Sequence, residues 1–186
     1  APEEGRAIVD SLVAGGADFI KVYDRLFADV YDAVAERAAE RGIPVDGHVP
    51  FDVSPIRVAE AGQRTIEHAS GIAMGCAANA DSLRTTHREY LQVVEDLPFP
   101  QGEVAFFRMV RAALEARDPE RCQATVDAYL EHGVTVVPTF VVFGGPEPLL
   151  SDSARMAMLP AAFREQWTAM AQRGPHPVAS IMEPVR

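Results

Sequence analysis

Apolar positions along the first part of the chain switch between two periods. Pro2 to Ala14 repeats at helical spacing through Ile8, Leu12 and Val13, and Gly15-Gly16 stops it. Asp18-Phe19-Ile20-Lys21-Val22-Tyr23 then reads as a short buried strand. Asp29 to Arg41 returns to helical spacing (Val30, Val34, Ala35, Ala38) and is closed by Gly42. Ile43 to His48 is a second strand. Ser54-Pro55 pairs an N-cap residue with proline in the first turn and starts a helix that runs to Gly62. Arg64-Thr65-Ile66-Glu67-His68 is a third strand. Strand, helix, strand, helix, strand with short connections is the pattern of parallel βαβ units.

Beyond His68 the rhythm breaks. Residues 69–132 hold a polar helical stretch at Asp81–Val94 and two further helices, Glu103–Ala116 and Pro119–His132. We read them as an enlarged crossover with a helical insertion, the kind of place where functional lids lie. Val134 to Val142 is the most strand-like run in the chain. The expected fold is α/β, with residues 1–143 as the central part of a barrel. Residues 144–186 form a helical and loop tail with a helix over Ala161–Gln172. Trp167 with Met156, Met158 and Met170 reads as a hydrophobic patch of that tail.

Composition removes some functions. The formal net charge of −10 disfavours a nucleic-acid surface, which needs clustered positive charge. No apolar run approaches the roughly 18 residues of a membrane span, and no basic-then-apolar leader opens the chain. The expectation is a soluble protein, cytoplasmic or exported, with neither nucleic acid nor membrane as partner. Cys76 and Cys122 are too few and too far apart for a disulfide framework or a zinc knuckle, so both read as ordinary thiols.

The candidate chemistry begins with Lys21, the sole lysine among 17 basic side chains. Only lysine can shed its proton near neutral pH. Its position in an apolar strand suggests work for a primary amine; a lysine snorkelling from a strand end is the plain alternative. His48 and His68 fall at the carboxyl ends of the next two strands. In a (β/α) barrel such ends converge on one mouth. Alternation puts Phe19, Lys21 and Tyr23 on one face, assigned here to the barrel interior. Either histidine alone could be structural, His48 as a turn residue and His68 as a core residue. Together, one unit apart beside a lone lysine, they favour a metal site, because neutral imidazole is the commonest metal ligand.

Gly16-Ala17-Asp18-Phe19-Ile20-Lys21-Val22-Tyr23, Gly47-His48-Val49-Pro50 and Ile66-Glu67-His68, in that order, resemble the middle of a metal-dependent amidohydrolase. The branch is that of imidazolonepropionase-like and Xaa-Pro-dipeptidase-like enzymes, and Val137-Pro138-Thr139 resembles its following strand. The resemblance covers residues 14–140. It implies a partial (β/α)8 TIM-type barrel with about four of the eight parallel strands, strands four to seven, and an enlarged helical insertion. It implies hydrolysis of amide-type C–N bonds, in cyclic amides or Xaa-Pro dipeptides, through metal-bound hydroxide. Lys21, carboxylated by carbon dioxide, would bridge two divalent metal ions, zinc by expectation, with His48 and His68 as metal ligands. A carbamate needs the neutral amine, so burial and nearby cations must lower the lysine pKa. Tyr23 and Phe140 are the candidate substrate contacts, the partner a small-molecule amide or dipeptide, and a homo-oligomer of the full-length protein is left open.

The family's His-x-His pair and its last-strand aspartate have no counterpart here, so the isolated chain is expected to be inactive. Asp24 and Asp46 read as carboxylates orienting ligands or as turn residues. Glu67 is expected to point away from His68 in a structural role. His87, His132 and His176 are expected to be solvated. Two rival readings remain: a Schiff-base lysine aldolase on a (β/α) barrel, which uses Lys21 but neither histidine, and a non-catalytic βα structural or interaction segment.

Overall fold

The computed structural model describes residues 1–69, 71–93, 101–139 and 152–172. Its first part alternates as expected: α1 (Pro2–Ala14), β1 (Ile20–Val22), α2 (Ala28–Arg41), β2 (Val45–Gly47), α3 (Pro55–Glu60) and β3 (Thr65–Glu67). Four helices follow, α4 (Ile72–Cys76), α5 (Ala80–Val93), α6 (Gln101–Glu115) and α7 (Pro119–His132), and then β4 (Thr135–Val137). Two tail helices, α8 (Ser153–Ala157) and α9 (Ala161–Gln172), complete the described elements. The apolar spacing predicts neither α4 nor α8, both of five residues and too short to carry a period. Phe140 and the rest of the predicted last strand lie outside the described residues, as do Ser70 and His176.

β1 pairs in parallel with β2, Lys21 opposite Asp46, and β3 with β4, Ile66 opposite Val136. The two ladders adjoin where the Arg64 N–H donates to the Val45 carbonyl at 2.8 Å. One face of the strands carries Ile20, Val22, Val45 and Ile66 into a core with Val9, Tyr31, Val34, Val58 and Tyr129 from the helices. Each of those four strand residues contributes about 1.5–3 kcal/mol by leaving water. Helix starts use side chains: Ser54 Oγ accepts from the Arg57 N–H at 3.1 Å, and Asp118 Oδ1 from the Glu120 N–H at 2.9 Å. Gly47 has φ 123°, and a Cβ there would stand 2.3 Å from the Val22 carbonyl oxygen. Glycine alone lets the chain turn against β1 immediately before His48.

The cysteines correct the sequence reading. Cys76, closing α4, and Cys122, opening α7, form a disulfide. Their separation of 46 residues says nothing of distance once α4 packs on α7, where their Cα atoms stand 4.3 Å apart. Among the described residues no helix is long and apolar enough to cross a membrane.

Candidate metal centre and its cavity

Lys21 projects from the middle of β1, between the buried Ile20 and Val22. The expected alternation holds, since Phe19, Lys21 and Tyr23 share the other face. The expected burial does not. The Lys21 side chain is 36% exposed, because no described element covers that face. Lys21 Nζ donates to Glu67 Oε2 of β3 and lies 5.4 Å from the Tyr23 ring centre. The hydrogen bond to Glu67 raises the Lys21 pKa above its ordinary value, with burial opposing. In this form the lysine is an ammonium ion, not the neutral amine that carboxylation needs.

Glu67 is thus the residue that strand logic misplaced. Alternation would send Glu67 and His68 to opposite faces. His68, however, leaves the strand with φ 58° and Ala69 follows at 51°, a left-handed conformation that L-residues adopt only when held there. The His68 N–H anchors it by donating to the Val137 carbonyl at 2.7 Å. The turn brings the imidazole back beside its neighbour's carboxylate. One ligand atom each of His48, Glu67 and His68 fall within 4.8 Å of one another.

His48 sits at the end of β2, its N–H donating to the Val22 carbonyl at 3.0 Å. A buried amide fixes that end. Gln63 Nε2 donates to the His48 carbonyl at 3.1 Å and to the Thr65 carbonyl at 2.9 Å, while Tyr31 Oη donates to Gln63 Oε1 at 3.1 Å. Gln63 therefore ties the His48 strand end to the start of the strand bearing Glu67; no pattern in the sequence marks it. The His48 ring lies 4.7 Å from that of Tyr23 and 5.1 Å, edge-on, from that of His68. Burial lowers the His48 pKa; Asp24 opposes this, and His68 and Lys21 add to it. Asp24 Oδ2 stands 3.8 Å from His48 Nδ1, beyond a hydrogen bond but on the side that would orient the ring. Both His48 ring nitrogens are buried with no hydrogen-bond partner. Unpartnered buried nitrogens beside a histidine and a carboxylate are what an imidazole awaiting a cation presents, so this donor set fits a divalent metal. Asp46, by contrast, is engaged by Arg64 at 2.6 Å and faces no ligand.

A cavity of ≈330 Å3 opens from the His48, His68 and Asp24 side chains toward the insertion. Phe51, Val53, Met74, Phe106 and Val110 line its apolar part. His87 of α5 also lines it, and corrects an expectation: it is fully buried, not solvated. Ala80, Leu83, His87 and Tyr90 are the buried stripe of α5, and that spacing of three, four and three residues was the signal available in the sequence. Its ring stacks on Phe51 at 4.9 Å, and both nitrogens are shut off from solvent. Burial holds the His87 pKa down to about 4, against a hydrogen bond to the Phe51 backbone. Arg88, next on the helix, donates to the buried Asp52 at 2.6 and 3.0 Å and pins α5 to the loop after β2. His132 is exposed, as expected.

No protein-family model matches the chain, and no curated protein matches it. Among solved structures it is similar to bottromycin amidohydrolase, with a TM-score of 0.52 and 25% identity over 95% of this chain. The chain spans 34% of that protein's length. The likeness supports an amidohydrolase-type relationship.

Proposed function

We propose that this chain forms the central part of a (β/α)8 barrel in a metal-dependent hydrolase of amide-type C–N bonds. The observation that carries the reading is the convergence of Lys21, in mid-strand, with His48, Glu67 and His68 at the ends of neighbouring strands, neither His48 ring nitrogen being hydrogen-bonded. The similarity to a protein named as an amidohydrolase supports the bond class. Cyclic amides and Xaa-Pro dipeptides are the substrates proposed.

His48 and His68 would hold one divalent cation through neutral imidazole, and Lys21, as a carbamate, would bridge it to a second; zinc suits this donor set. Such cations, when bound, polarise the scissile carbonyl and lower the pKa of water to about 7. The remaining work falls to the chain. Asp24 orients the His48 ring, and Gln63 keeps the β2 and β3 ends in register. Glu67 decides the state of Lys21. While its carboxylate accepts from Nζ the amine stays protonated; carboxylation would need Glu67 turned to another partner and nearby cations to lower the lysine pKa, with one proton leaving Nζ before carbon dioxide adds and a second as the carbamate forms, both passing to solvent base. The first step is therefore proton release. Tyr23, exposed beside His48, and Phe140 would contact substrate.

The test uses the full-length protein with zinc and bicarbonate against a panel of cyclic amides and Xaa-Pro dipeptides. Lys21→Arg, which keeps a cation but cannot form a carbamate, is expected to lower kcat/KM at least about a thousandfold, near 4 kcal/mol. It should also reduce bound metal below two equivalents. Short carboxylic acids should restore activity to Lys21→Ala. Full turnover and metal content in Lys21→Arg would refute the reading. A borohydride-stable adduct of a keto substrate at Lys21 would instead favour Schiff-base chemistry.

A further inference from the structure

His87 has no place in the chemistry above. Its imidazole is wholly buried, the Phe51 backbone is within hydrogen-bonding influence of one nitrogen while the other has no partner, and it lines the cavity that His48 and His68 also line. An unsatisfied buried polar group costs about 1–3 kcal/mol, so a folded protein keeps one where something completes it. The surroundings say what that something resembles. Phe106 stacks on Phe51 at 4.9 Å, and Phe51 stacks on His87 at 4.9 Å, so three nearly parallel rings form one wall. Val53, Met74 and Val110 close the rest with aliphatic carbon and sulfur. At ≈330 Å3 the space equals roughly ten waters at about 30 Å3 each, at the lower end of ligand pockets.

We propose that this cavity is the side-chain pocket of the amide substrate, and that it takes an aromatic group bearing one hydrogen-bonding substituent, a phenol-like ring, whose polar atom is met by His87. The inference rests on the hydrolase reading for its location, since the scissile amide would sit at the His48–His68 mouth. A flat ring suits a cavity walled by Phe51, Phe106 and Phe107, and aromatic pairs are worth about 0.5–1.5 kcal/mol beyond buried area. The imidazole is neutral there, held so by burial, and with the Phe51 backbone taking its N–H it offers an acceptor nitrogen. A hydroxyl donates to it. A purely apolar ring would leave His87 stranded, and sites built to hydrogen-bond a hydroxyl reject analogues that lack it.

Two probes of one shape, 4-methylphenol and toluene, test this on the full-length protein without added metal. Affinities come from titration, and the His87 ring is followed by long-range 15N correlation. The expected result is 4-methylphenol binding at least about tenfold more tightly than toluene and shifting the His87 resonances. His87→Phe should remove that preference, and His87→Gln, which still donates and accepts, should keep part of it. Equal affinities, no binding, or an unmoved His87 resonance would overturn the proposal, the last meaning that trapped water alone satisfies the ring. If His87→Phe does not fold, the wild-type titrations and spectra decide. Neither probe needs turnover, so the pocket can fail while hydrolysis stands, and the converse. In an active enzyme, amides with a tyrosine-like side chain should exceed alanine-like ones in kcat/KM by at least about tenfold; parity would remove the substrate assignment.

Discussion

His48 and His87 are both buried, each has a ring nitrogen without a hydrogen-bond partner, and both line one cavity, yet their settings differ. His48 stands at a strand end among groups of either charge, with Asp24 and Glu67 opposing the lowering of its pKa. His87 stands on a helix among aromatic and aliphatic side chains, and burial alone carries it down to about 4. The contrast separates two tasks. The strand side gathers two imidazoles and a carboxylate beside the exposed Lys21. The helical side excludes water and supplies shape. A cavity built from both halves has polar atoms at one end and an apolar wall at the other.

The comparison can be broken most severely through the disulfide, which belongs wholly to the helical side. Closing a loop of 46 residues removes denatured-state entropy worth about 4 kcal/mol in the chain-entropy model. Replacing Cys76 and Cys122 with alanine should therefore lower the denaturation midpoint sharply. The spectra of the strand-end histidines, recorded under conditions where the variant is folded, should change little. Loss of their signals along with those of the helices would show the two sides to be one cooperative unit.

Acid probes His87 next. Its folded pKa is depressed from an unfolded value near 6.5 to about 4, so the unfolded chain binds the proton more readily. Stability is complete above pH 6.5 and is lost as pH falls through that value toward 4. The loss amounts to about 3 kcal/mol at the lower end, from 1.36 kcal/mol per pKa unit. His87→Phe should flatten this limb of a denaturation-against-pH curve; an unchanged slope would place the titration elsewhere.

On the strand side, Gln63→Leu keeps the volume but strips partners from Tyr31 and from the His48 and Thr65 carbonyls. A cost of about 2–3 kcal/mol is expected in urea titrations, together with weaker zinc binding as the strand ends drift. A variant of wild-type stability would remove Gln63 from the architecture of the site.

The sequence made the strand side largely legible. Lys21, His48 and His68 were marked by residue type and by spacing near one strand-plus-helix unit, both visible in one dimension. Glu67 was misjudged because alternation presumes a regular strand, and the left-handed turn at His68 belongs to tertiary context. The helical side was harder to read. Its helices α5 to α7 were predicted within a residue or two, but which of their residues meet depends on packing that periodicity does not encode. The disulfide was missed for the same reason. His87 was the avoidable error, since it lay on the apolar stripe of its own helix and was assigned to water by residue type alone.

The Cys76–Cys122 bond also closes residues 76–122 into a covalent ring that carries α5 and α6. A protease that cuts within that ring opens the peptide chain without releasing either piece, and the halves part only on reduction. Gel mobility after limited digestion, with and without thiol, would display this directly. The wall that α5 and α6 give the cavity is thus tethered at its base and stays attached after a cut.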